Sequence, residues 1–265
     1  MLKLICYLLL LLCSIPAVFG QEDKPIIVTV YPTTDSIPVN ILRFYIQFSA
    51  PMQEMDILSH IKLRNKEGKN ITGVFFENQY ELWNEDRTKV TLIVDPGRVK
   101  LGLLANNKMG RAFDVGKKYT LTIDSLLLDF NDQQLKENFT KTFIAVQEDT
   151  LPPDTKLWQL TVPKVNTQDV ITIDFKDKID HISAQTLIKV FQNNKEIHGL
   201  ISLTNKEQKY TFKPDKNWKK GSYQILAHPS LEDIAANSVN QVFDHNPLDF
   251  NQKNKDNLTL NFIIQ

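Results

Sequence analysis

ILRFYIQF, residues 41–48, alternates with a period of two: Leu42, Phe44, Ile46 and Phe48 fall on one face, Arg43, Tyr45 and Gln47 on the other. Successive strand side chains point to opposite sides, so this alternation predicts a half-buried β-strand. Runs of the same kind occupy Ile26–Tyr31, Ile61–Arg64, Ile71–Phe76, Lys89–Val94, Lys118–Ile123 and Thr140–Val146. They are rich in β-branched and aromatic residues. Beyond the first twenty residues no segment carries a long helical period, although EMDILSHI and SAQTLIKV can each hold a helical turn. The expectation is an all-β chain.

From Leu157 the pattern starts again. ILRFYIQFSAPM, IKLRNKEGKNITG, RTKVTLIVDP, GKKYTLTIDSLLLDFNDQQL and KTFIAV are followed, in the same order, by DVITIDFKDKI, IKVFQNNKEIHG, EQKYTFKPD, GSYQILAHPSLEDIAANSV and LNFIIQ. Phe48 aligns with Phe175, Gly73 with Gly199, Gly116 with Gly221, Tyr119 with Tyr223 and Asp129 with Asp233. Two diverged copies of one unit imply two tandem antiparallel β-sandwiches, over residues 21–150 and 151–265. Between them EDTLPPD, Glu148–Asp154, supplies two prolines that hold the chain extended as a stiff connection.

Residues 1–20 read as a secretory leader: Lys3, the apolar run LICYLLLLLC, and a small-residue end at Gly20. The run is too short to span a membrane. Cleavage after Gly20 gives a chain starting at Gln21; lipid attachment at Cys13 is the rival, with Leu12 where a lipoprotein signal wants a small residue. Both cysteines, Cys6 and Cys13, lie in the leader, so the exported chain has no disulfide and folds by burial alone. The whole chain balances 31 basic against 31 acidic residues. That balance provides no field to steer it to nucleic acid or an anionic membrane.

The stretch PVNILRFYIQFSAPM, then VTLIVDP, then GKKYTLTIDSLLLDFNDQQL resembles the bacterial Ig-like domains of S-layer and other cell-envelope proteins. Their pattern runs from an F-S-x-P-M segment through G-x-x-Y-x-L-x-I to a D-x-x-G/N turn, and the likeness covers most of Ile26–Val146. In the second copy FSAPM becomes FKDKI, and membership there follows from the parallel with the first. The resemblance implies Ig-like sandwiches in a structural or adhesive role; with the leader, the chain is expected at the periplasm or cell surface, its partner an envelope protein or, if its tryptophans are exposed, a glycan. It carries over no catalytic residue and no cofactor.

DPGRVKLGLLANNKMG, residues 95–110, follows a strand and is glycine-rich, as a phosphate cradle would be. Leu103 and Leu104 stand where such a loop needs Lys and Ser or Thr. The stretch is instead an insertion relative to the second copy. Its plain reading is a surface loop that tucks Val99, Leu101, Leu103 and Leu104 against the sandwich; its functional reading presents Arg98, Lys100, Lys108 and Arg111 to a partner.

Candidates for chemistry are sparse. His60, His181, His198, His228 and His245 stand singly, without metal or catalytic spacing, and are expected in loops or on the surface. Asp129, Asn131 and Asp132, or Glu148, Asp149 and Asp154 at the linker, have oxygens that calcium could use. Such residues in a turn more often bond their own backbone. The copper-resistance periplasmic proteins share an Ig-like sandwich, but copper would want soft ligands that the scattered Met52, Met55 and Met109 do not supply. Trp83, Trp158 and Trp218 would serve a glycan if exposed together, and are expected to plug cores. No metal or cofactor is therefore expected, and no enzymatic activity.

Overall fold

The computed structural model describes residues 23–244 and 258–265. The leader and His245 lie outside the described residues. Among the described residues no helix is long and apolar enough to cross a membrane.

The chain forms two Ig-like β-sandwiches. The strands of the first are β1 (Ile27–Tyr31), β2 (Ser36–Pro38), β3 (Arg43–Phe48), β4 (Ile61–Asn65), β5 (Leu82–Trp83), β6 (Lys89–Ile93), β7 (Lys118–Ile123) and β8 (Phe139–Val146). They pair as β1-β3-β6-β5 and β2-β8-β7-β4. The second has β9 (Gln159–Thr161), β10 (Ile171–Asp174), β11 (Ile188–Gln192), β12 (Lys195–Glu196), β13 (Gly199–Thr204), β14 (Lys209–Pro214), β15 (Gly221–Ala227) and β16 (Leu258–Ile264). These pair as β9-β10-β14-β13 and β12-β11-β15-β16. The first sheets of the two sandwiches match strand for strand. In the second sheets β8, β7 and β4 correspond to β16, β15 and β11. Strand β2, which runs parallel to β8, belongs to the first sandwich alone, and β12 to the second.

Equivalent side chains do equivalent work, which is the strongest sign of duplication. The Tyr119 hydroxyl accepts from the Asp114 N–H at 2.8 Å, and that of Tyr223 from the Lys219 N–H at 3.0 Å. Each ring stacks on the last strand, against Phe143 and Phe262, and meets a second ring edge-on, Phe113 at 5.1 Å and Trp218 at 5.3 Å. Asp129 accepts from the N–H groups of Asn131 and Gln133; Asp233 accepts in the same way from Ala235 and Asn237. Met52 bridges to Asp129 and Ile179 to Asp233, so the isoleucine of FKDKI fills the place of the methionine in FSAPM. Burying each such side chain contributes about 1.5–3 kcal/mol.

Three expectations need correction. Ile71–Phe76 is not a strand: Gly73 sits at φ 62°, and in place of a ladder the segment has an isolated bridge, Phe75 to Val94, and scattered backbone hydrogen bonds with Leu63, Ile93 and Asp95. The insertion is partly helical, with α1 (Pro96–Val99) capped by the Asp95 carboxylate on the Gly97 N–H, and α2 (Leu104–Met109). Val99 is buried there, but Leu101 and Leu103, in the link between the two short helices, and Leu104, which opens α2, are exposed.

The polar face expected for β3 is also covered. Tyr45 is only 4% exposed, because the second sandwich packs against that side of the sheet.

Candidate functional site

The joint between the sandwiches gathers most of the perturbed polar groups. Asp180 caps α3 (His181–Leu187) with one oxygen on the Ser183 N–H and accepts the Tyr45 hydroxyl at 2.8 Å with the other. Burial raises the pKa of both, Tyr45 further through the neighbouring Asp180 charge. Beside them Arg43 pairs with Glu232. The ring of Tyr31 stacks on that of His181, centroids 3.5 Å apart. His181 is buried, contrary to the surface position expected, and burial with the Lys89 charge nearby lowers its pKa to about 3. It stays neutral throughout the ordinary range.

A second contact comes from a left-handed turn. Asn205, Lys206 and Glu207 have φ of 52°, 57° and 67°, sparsely populated for residues with a Cβ. The turn delivers the Glu207 carboxylate, 1% exposed, to the N–H groups of Thr33 and Thr34. Two backbone N–H donors, that of Thr34 buried and that of Thr33 part-buried, satisfy one buried carboxylate. Lys206 pairs with Asp35 and Lys178 reaches the Ser36 carbonyl.

The third contact is at the linker. Asn40 exchanges two hydrogen bonds with the backbone of Asp149, whose carbonyl also accepts from Asn237. Here the carboxylates of Asp149, Asp177 and Asp233 come within 4.8 Å of one another. Such spacing suits a divalent cation, and it equally favours a carboxyl that keeps its proton. Burial, reinforced by Asp149 and Asp177, raises Asp233 to about 8 against the pull of its Asn237 hydrogen bond. Of the linker acids considered for calcium, only Asp149 joins this cluster: Glu148 pairs with Arg111, and Asp154 caps a short turn on the Lys156 N–H. The Asp129 group is a backbone-bonded turn.

The four cations of the insertion do not act together. Arg98 is buried and donates to the carbonyls of Gly73, Gly110 and Arg111, so it holds the loop's own backbone. Arg111 reaches Val99 and Glu148. Lys100 lies 4.4 Å from the ring centre of Phe243, and the Leu101 N–H donates to Asp244. Lys108 is exposed. Two residues of the insertion thus grip the long loop of the second sandwich, where Ala236 enters the first sandwich's core.

Trp158 and Trp218 are buried in the second core; Trp83 is half-buried, against Phe48 and under the Arg87 guanidinium. His60 pairs with Asp124, and His228 accepts from the Ser230 N–H.

No protein-family profile matches the chain, and no curated protein matches it in sequence. Among solved structures, alpha-2-macroglobulin from Escherichia coli, domains MG0-NIE-MG1, aligns over 92% of this chain and 72% of its own, with 9% identity and a TM-score of 0.30. The S-layer protein rSbsC aligns over 92% of this chain at 11% identity and a TM-score of 0.31. This chain covers 41% of rSbsC, less than half of that protein. The titin domains Z1Z2 in complex with telethonin align over 77% of this chain and 89% of theirs, at 11% identity and a TM-score of 0.22. What this chain can do is therefore read from its own residues.

Proposed function

We propose that the chain is an exported, non-enzymatic module of the bacterial cell envelope, related to the bacterial Ig-like domains, in which two sandwiches act as one rigid support for a protein-binding surface. The observation that carries this is the joint. Tyr45 with Asp180, Glu207 with Thr33 and Thr34, and Asn40 and Asn237 with Asp149 fasten the sandwiches at three separated places. Contacts between domains of one chain are ordinarily polar and permit relative motion. Three separated contacts, each at least part-buried, resist rotation about any single one of them. A spacer needs that stiffness, and loops at the ends and edges of a sandwich can vary without disturbing its core.

The test has two arms. Fractionation of cells making the full chain, with N-terminal sequencing, is expected to find it in the envelope starting at Gln21; a cytoplasmic product retaining Met1 rejects export. Small-angle scattering of residues 21–265 is expected to fit one arrangement of the sandwiches, and a curve that requires a broad set of arrangements rejects the rigid support.

A further inference from the structure

We infer that a groove on the first sandwich, beside the outer edge of β6, docks an extended, lysine- or arginine-bearing segment of a partner protein. This deepens the binding half of the function proposed above by naming the partner's chemistry.

The groove exists because a strand pairing is interrupted. Phe75 bridges to Val94, and Leu82 pairs with Thr91 in the β5–β6 ladder. Between them residues 77–81, ENQYE, leave the ladder and bow outward, with a last hydrogen bond from the Phe76 N–H to the Ile93 carbonyl. The space so opened is about 480 Å³, with Leu92 and Ile93 of β6 along its wall. An interrupted sheet edge is a place where an extended peptide can be added.

Its lining has a single sign of charge. Asp56, Glu77 and Glu81 face it, and no lysine or arginine does so among the described residues. Glu81 is fixed by the Ile57 N–H and by the Trp83 indole N–H, so its charge is held in place. The side chains of Asp56 and Glu77 have no partner among the described residues and stand exposed.

Aromatic rings complete the chemistry. Phe76 is 47% exposed and Tyr80 70% exposed, both on the groove. Neither needs exposure for the fold, whose core closes without them. A ring face attracts an ammonium or guanidinium, and a carboxylate beside it adds a charged hydrogen bond. The same rings repel nothing along an aliphatic lysine stem. An acidic or neutral segment would leave the carboxylates facing like charge or bare surface, so complementarity selects a basic one.

The experiment measures binding of the leader-free chain to a short peptide alternating lysine with threonine, and to its glutamate counterpart, by calorimetry or fluorescence. The lysine peptide is expected to bind and to weaken as salt is raised. Glu77→Gln combined with Asp56→Asn is expected to lose about tenfold in affinity, and Tyr80→Ala about fivefold, with melting temperatures unchanged. Three results would overturn the inference: equal affinity in the variants, equal binding of the glutamate peptide, or binding of spermidine as tight as the peptide's, which would make the groove a small-cation pocket. Each leaves the scattering result untouched, so the rigid-support proposal stands or falls separately.

Discussion

Asp233 does the same structural work as Asp129, holding a turn by two backbone N–H groups, but in a more crowded place. Its carboxyl titrates at about 8 when folded, against 3.8 for a free aspartate. Between those values the folded protein holds a proton that the unfolded chain has lost, so stability falls as pH rises. Asp177 and Asp180, raised by burial, act in the same direction. His181 has the opposite sign: its folded value is about 3 against 6.5, so the unfolded chain takes up the proton between them and stability rises with pH there. The two oppose each other up to about 6.5, above which the carboxyl acts without the histidine. The urea midpoint, in buffer with chelator, should therefore fall from pH 6.5 to pH 8. Asp233→Asn, which keeps an oxygen for the two backbone donors, should remove most of that slope. A wild-type midpoint flat across the window would show that the three carboxylates do not share a proton.

At the scale of the element, Arg98 shows how an insertion is tolerated. Its guanidinium supplies hydrogen bonds to three carbonyls that α1 and α2 and the neighbouring segment cannot satisfy themselves, at 3.1, 3.0 and 2.7 Å. Arg98→Ala would strip those part-buried carbonyls of their charged donor, at a cost of about 1–3 kcal/mol. Lys108→Ala, on the exposed end of α2, should change stability by less than about 0.5 kcal/mol. Equal melting temperatures for the two variants would show the loop to be independent of its arginine. The sequence made Arg98 look like a surface cation because only contacts distant along the chain bury it. The same limit applies elsewhere. Strands such as Lys118–Ile123 were legible because their alternation is local, and the second copy was legible because Tyr223 and Asp233 recur at matching positions. Tyr45 and His181 were misplaced because the surface that covers each belongs to the other sandwich. The acidic groove was missed for a related reason. FFENQYE carries the aromatic and acidic residues in plain view, but the Ile71–Phe76 alternation suggested a strand, and the bow that exposes them depends on where pairing with β6 stops.

For the whole molecule the question is whether two cores behave as two folding units. Each sandwich closes its own apolar cluster, and tandem Ig-like folds joined only by a linker would unfold in separate transitions. Here Ala236 of the second sandwich is buried in the first cluster, with Phe243 packed against it. Glu207, almost fully buried, has its carboxylate on the first sandwich's backbone. Opening the first sandwich would expose Ala236 and Phe243 to water and forfeit the charged hydrogen bonds that Glu207 and Asp180 make across the joint, each contributing about 1.5–3 kcal/mol. Summed over the joint, that coupling is a substantial fraction of the roughly 5–15 kcal/mol by which a domain is ordinarily stable. Calorimetry of residues 21–265 should therefore show a single transition whose calorimetric and van't Hoff enthalpies agree. Combining Tyr45→Ala with Glu207→Ala removes one contact at each of two fastening places while leaving both apolar clusters intact, and should split the transition into two. If the unaltered chain already melts in two steps, the sandwiches are independent beads and the joint is an ordinary interdomain contact.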